Sequence, residues 1–320
     1  MRKLTISALL ALQTIPAFSW GFFGHKMINR HAVFLLPPEM MILYKPHLDF
    51  IKEHAVDPDK RRYAVKQEAP RHYIDMDRFH PWDSIPSSYQ KAVDKYGEDS
   101  LARHGIVPWW IQTMTSRLTK AFELKDKFAI IKLSAELGHY ISDAHVPLHT
   151  SSNHNGQLTN QIGIHGFWES RVPELFAEQE FDLLVGKAQY VKNVSGLAWR
   201  VVKQSAAAAD SVLRFEMMLN NSVRPDAKFS YETRNGVIVR QYSTAYSKAY
   251  HQMLNGMVER RMRASIFATA SLWYTAWVNA GQPDLQEIAG RSFTEKELEE
   301  WAELNRSWKE LGMPGSSCSN

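Results

Sequence analysis

Between Leu137 and Ser170 the chain reads LGHYISDAHVPLHTSSNHNGQLTNQIGIHGFWES, and this stretch holds five of the thirteen histidines together with Asp143 and Glu169. His139 and Asp143 lie four residues apart in a run whose apolar positions (Ile130, Ile131, Leu133, Leu137, Ile141) recur at helical spacing. On a helix both side chains therefore leave the same face one turn apart. His165 and Glu169 repeat the interval beside Phe167, Trp168, Val172 and Leu175. Pro147 should end the first helix and release His149 from its register. A lone His-x3-Asp pair is what a surface pair or a satisfied core histidine also leaves. Five such residues between positions 139 and 169 are a pattern that metal coordination requires.

The rest of the chain restricts what such a metal site is made of. The one cysteine, Cys318, sits in a polar tail, so thiolate zinc sites and intrachain disulfides are excluded and any metal must use nitrogen and oxygen. A hydrophobic content of 44% and ten tryptophans indicate a folded core. Residues 1–19 read as a secretory signal: Arg2 and Lys3, an apolar centre, then Ala17-Phe18-Ser19 with small residues before the cut. Its removal turns 38 basic and 34 acidic residues into 36 and 34, so the charge balance is no argument for a polyanion partner. The apolar run 264–280 is short for a bilayer span and rich in Ser and Thr, and reads as a buried helix. An exported chain, periplasmic or secreted, is expected.

Cleavage after Ser19 would expose Trp20, whose α-amine, with a reference pKa of ~7.7–8.0, and carbonyl oxygen can chelate a metal. His25 follows, with Gly21 and Gly24 permitting a tight turn; an aromatic terminus packed in the core is the other reading. Helical periodicity runs over 25–36 and 39–53. Asp57 precedes Pro58, which pushes it toward extended backbone, and Asp57 and Asp59 are also suited to be helix caps. Residues 75–97 read as an irregular excursion. Helices are expected from Ser100, Val107 and Asp126, over 181–220 and 243–280, and from Thr294, where Glu297 completes a capping box. A hairpin is expected at Asn235-Gly236. With almost no period-two alternation elsewhere, the chain reads as all-α, one mainly helical domain over 20–320 ending in a polar tail.

Taken together, Trp20-x4-His25, Asp57-x14-His72, His139-x3-Asp143-x5-His149 and His165-x3-Glu169 form one ordered set. It resembles the superfamily of trinuclear zinc phosphodiesterases that joins the bacterial zinc-dependent phospholipases C to single-strand-specific nucleases with 3′-nucleotidase activity. The resemblance implies three zinc ions. Asp57, His72, His139 and Asp143 would hold one, and His149, His165 and Glu169 a second. Trp20 and His25 would hold the third, with Asp143 as bridge. His31, His54, His145, His154 and His251 match no ligand position. Zinc at such a site lowers the pKa of water toward ~7 and stabilises the oxygens of an in-line displacement at phosphorus.

The resemblance also implies roles for residues that hold no metal. Asp57 would orient or deprotonate the attacking water. The nucleases carry a transition-state arginine three residues after that aspartate, where this chain has Lys60 followed by Arg61. Tyr73 falls where the nucleases stack a base, worth roughly 1–3 kcal/mol, and Asp75 where they bind its edge. Glu169 in place of an aspartate resembles the phospholipases. The expected substrate is a single-stranded nucleic acid or nucleotide, with phosphatidylcholine-like lipid as the alternative and no stable protein partner implied.

Overall fold

The computed structural model describes residues 21–62, 64–234 and 236–310. The proposed signal segment and Trp20 lie outside them. The N-terminal part comprises α1 (Gly21–Val33), α2 (Pro38–Tyr44), α3 (Leu48–Glu53) and a single turn, α4 (Asp57–Arg61). Helices α5 (Tyr89–Tyr96) and α6 (Glu98–His104) precede two long ones, α7 (Val107–Glu123) and α8 (Lys127–His145). A short turn, α9 (Ile164–Gly166), runs through a π-helical turn, Phe167–Arg171, into α10 (Val172–Glu180). After α11 (Val194–Ser222) comes the only sheet among the described residues, strands β1 (Phe229–Arg234) and β2 (Val237–Tyr242). Four helices close the chain: α12 (Thr244–Met253), α13 (Met257–Asn279), α14 (Gln286–Ala289) and α15 (Glu295–Glu310). The mainly helical class agrees with the sequence reading.

Helix α8 is the axis, packed against α1, α7, α11 and α13. It is buried on every side from Ser134 to His145, so its polar groups need partners inside the protein. Asp126 caps its start, accepting from Ala129 N at 3.0 Å. It stops at His145, just before Pro147, as expected. Helix α13 is mostly buried between Ser265 and Trp277, and no helix among the described residues is long and apolar enough to cross a membrane.

Several boundaries differ from the sequence reading for identifiable reasons. Helix α1 begins at Gly21 rather than near residue 25, so Gly21 and Gly24 sit inside a helix and not in a turn. A β-carbon on Gly21 would lie 2.9 Å from Ser170 Oγ, and this close approach joins α1 to the π-turn. Pro46 divides the expected 39–53 helix into α2, a 3-10 turn and α3. The 75–97 excursion contains α5. Residues 181–193 form no helix, because their backbone donors go elsewhere: Ala188 N to Leu35 O at 2.9 Å, and Val191 N to Thr275 Oγ1 at 2.8 Å. The hairpin has Arg234 opposite Val237, and the Thr294–Glu297 capping box closes with Thr294 N donating at 2.6 Å.

One contact fixes α1 against α8 next to the ligands. Asn29 Nδ2 donates to Ile51 O at 3.2 Å and Ala135 O at 3.0 Å, and a β-carbon on Gly138 would sit 1.9 Å from Asn29 Oδ1. Helix propensity alone makes Gly→Ala stabilising by about 1 kcal/mol, whereas overpacking costs about 1–3 kcal/mol. Gly138→Ala is therefore expected to lower stability in urea unfolding, and an unchanged or raised midpoint would refute the close approach.

Candidate metal centre

Asp143 leaves α8 fully buried, one turn after His139. Its Oδ2 is 2.9 Å from His72 Nδ1 and 3.1 Å from His139 Nε2. Its Oδ1 faces the other way, 3.4 Å from His25 Nε2 and 3.9 Å from His149 Nε2. His72 comes from the turn after α4, His25 from α1 and His149 from the turn after Pro147. Residues separated by more than a hundred positions thus meet around one carboxylate.

Three triplets have ligand atoms that all lie within 4.8 Å of one another: His25, Asp59 and His139; His72, His139 and Asp143; and His149, His165 and Glu169. His72 Nδ1 and His139 Nε2 are 3.0 Å apart, and each is 3.7 Å from Asp59 Oδ1. A tetrahedral ion bonded at ~2.0–2.1 Å spaces its ligand atoms about 3.3 Å apart, and these separations bracket that value. In the third triplet Glu169 Oε1 stands 2.9 Å from His165 Nε2 and Oε2 stands 3.6 Å from His149 Nε2. Even so, Asp143 Oδ1 and both Glu169 oxygens are buried with no hydrogen-bond partner among the described residues. Buried carboxylate oxygens placed so are costly unless a cation answers them, and the donor set fits zinc.

The far sides of His139, His149 and His165 are fixed as metal-binding histidines require. The Nδ1 atoms of His139, His149 and His165 lie 2.8, 2.7 and 3.0 Å from the carbonyls of Ala55, His72 and His154. In the neutral ring those nitrogens donate, and each Nε2 keeps its lone pair for the centre. Burial lowers the His139 pKa, but the charges of Asp143 and Asp59 outweigh it and raise it to about 9. For Asp143, burial is outweighed by His139, His149 and His25, and the carboxyl is held well below its usual range. The His139 shift expresses the carboxylates that surround it, and the Asp143 shift the imidazoles that face it.

Asp57 departs from its expected place. It belongs to none of the triplets; His54 Nδ1 lies 2.5 Å from its Oδ2, and Lys60 Nζ donates to its Oδ1 at 3.0 Å. Burial is outweighed by these two partners, which depress its pKa. The reason is local. Asp57 is helical (φ −64°, ψ −35°) and not extended, with Pro58 accommodated in the first turn of α4. Residues two apart on a helix point to nearly opposite sides, so Asp59 faces His72 and His139 while Asp57 faces away.

The two basic residues expected beside the phosphate are also engaged elsewhere. Lys60 Nζ donates to Asn305 Oδ1 at 2.8 Å as well as to Asp57. Arg61 reaches Glu68 at 3.1 Å, Glu136 at 2.7 Å and the Tyr140 hydroxyl at 3.3 Å, a network that ties α4 to α8. Arg62, which closes α4, stands three residues after Asp59. That interval is readable in the sequence and equals the one the resemblance expects between an aspartate and an arginine.

Tyr73 and Asp75 flank the centre, since Ile74 N between them donates to His149 O at 2.9 Å. The Tyr73 hydroxyl donates to Arg103 O at 3.0 Å, and Asp75 Oδ2 lies 3.0 Å from His104 Nδ1, with burial raising the Asp75 pKa. His145 takes no part: it is buried, with Nδ1 2.7 Å from Ile141 O, and burial together with Arg261 pushes its pKa down to about 3.

A family model described as S1/P1 Nuclease matches residues 20–265. The chain belongs to the S1/P1 nuclease family, on the nuclease branch of the trinuclear zinc phosphodiesterases, and is a zinc-dependent phosphodiesterase. No curated protein matches it.

Replacement of Asp59 by Ala is expected to lower the zinc bound per chain, and Asp57→Ala to leave it at the wild-type level. Elemental analysis of the purified variants decides, and the reverse order would restore Asp57 as the ligand.

Proposed function

We propose that the chain is an exported nuclease that cuts single-stranded DNA or RNA with three zinc ions. His72, His139, Asp143 and Asp59 would hold one, and His149, His165 and Glu169 the second. His25, Asp143 and the amine and carbonyl of Trp20 would hold the third. The observation that carries this reading is the convergence of those buried ligand atoms on Asp143 in a chain of this family. Export is supported by the signal-like residues 1–19 and by a family match that begins at residue 20, where the processed chain would start. The processed chain, 20–320, would then be one domain.

Zinc bound at these positions supplies Lewis acidity toward phosphoryl oxygen and acidifies water at neutral pH. The protein's own groups do the rest. Asp59 takes the proton of the water that attacks phosphorus as the bond to the leaving ester oxygen breaks, and that oxygen takes up a proton from solvent. Arg62 opposes the charge that grows on the phosphoryl oxygens. Tyr73 stacks the base beside the cut, and Asp75, oriented by His104, accepts from the base edge.

The direct test incubates the processed protein with single-stranded nucleic acid and, separately, with phosphatidylcholine. Cleavage of the strand is expected, and release of phosphocholine without strand cleavage would overturn the reading. Arg62→Ala should lower kcat on the strand by about a hundredfold or more with zinc content unchanged, and an unaltered kcat would remove Arg62 from the mechanism. A form carrying one extra residue ahead of Trp20 should lose one zinc and most activity; full zinc and activity would exclude the terminal chelate.

A further inference from the structure

The hairpin presents two different faces. Phe229 lies opposite Tyr242, Tyr231 opposite Arg240 and Thr233 opposite Ile238, and side chains alternate along a strand, so these six share one face. Its inner end is fastened to the candidate metal centre, where Tyr242 stacks on Phe167 with ring centroids 3.8 Å apart, midway between His165 and Glu169. Its outer end is in solvent: Tyr231 is 74% exposed and Ile238 72%. Arg240 lies over the Phe229 ring, 3.6 Å from its centroid. The opposite face is occupied by the body of the protein, with Val239 buried and Glu232 paired with Arg171. Arg234 and Lys228 have carboxylate partners in Glu174 at 2.9 Å and Glu216 at 2.7 Å, but among the described residues no carboxylate pairs with Arg240.

An exposed aromatic ring beside an arginine that has no carboxylate partner is what binds a single strand without reading its sequence, the ring stacking a base and the cation meeting a phosphate. The face adjoins the segment that carries two proposed ligands, so a strand entering the centre can continue across it. We propose that the outward face of the hairpin is a second contact for single-stranded nucleic acid, in which Tyr231 stacks a base and Arg240 neutralises a phosphate away from the bond being cut. This rests on the nuclease reading above.

The test compares a long single-stranded oligonucleotide with bis(p-nitrophenyl) phosphate, which is too small to touch the hairpin and the centre together. Tyr231→Ala should raise KM for the strand at least about fivefold, the lower end of the effect of losing one stacked base, and Tyr231→Phe should restore it. Arg240→Gln should reduce the steepness of log affinity against log salt by about 0.7, the share of one phosphate on a single strand. Neither change should alter hydrolysis of the small diester, which also reports that the variants are folded. Wild-type KM and salt slope in both alanine and glutamine variants would overturn this proposal alone. If the wild-type protein hydrolyses the diester but neither cuts nor binds the strand, the nuclease reading falls with it. Loss of binding to phosphatidylcholine vesicles in Tyr231→Ala, with strand KM unchanged, would assign the face to lipid and likewise overturn it.

Discussion

A carboxylate with no exposed surface stands among four imidazoles. Asp143 directs one oxygen at His72 and His139 and the other toward His25 and His149. Burying an ionised carboxylate costs several kcal/mol even after relaxation; the imidazoles at Oδ2 offset part of that, while Oδ1 has no hydrogen bond of normal geometry among the described residues. Much of the surrounding structure serves to assemble the groups that answer this charge. Cations placed on both sides of Asp143 would repay the burial and bring electrophilic centres close together, as phosphodiester hydrolysis requires.

The scaffold achieves this by making α8 the most enclosed helix and delivering ligands to it from sequence-distant segments. Helix α1 brings His25, whose ring stacks on His139 at 3.9 Å between centroids. Close packing at Gly138 against Asn29 sets that approach. The α4 turn is tied to α8 through Arg61, Glu68, Glu136 and Tyr140. This network therefore fixes where Asp59 sits, and it explains why Arg61 is spent on architecture. The π-turn at Phe167–Arg171 carries Glu169, and the hairpin grips Phe167 of the same turn through Tyr242. Structural and substrate-facing parts are thus joined through single residues.

Much of the centre was legible in the sequence because helices impose a short, regular spacing. The His139/Asp143 and His165/Glu169 pairs declare themselves at four-residue intervals, and Pro147 shows where His149 escapes the helix. The choice between Asp57 and Asp59 turned on backbone conformation. With extended backbone the two would share a side, but in the helical turn that forms they oppose one another, and the residue before a proline is no secure guide to which occurs. The sequence signal for the proposed Asp59–Arg62 pair is their three-residue step, masked by the wider match of Asp57 to His72. Residues 181–193 were misread as helix because their hydrogen bonds go to Leu35, Ser271 and Thr275, partners that sequence periodicity does not register.

The claim beneath this account is that Asp143 lies between metal ions. Crystals of the processed protein measured on both sides of the zinc absorption edge would test it directly. The account predicts anomalous peaks between Asp143 and the His72–His139 pair and within the His149–His165–Glu169 triplet. Zinc bound only at other positions, with no peak beside Asp143, would contradict it.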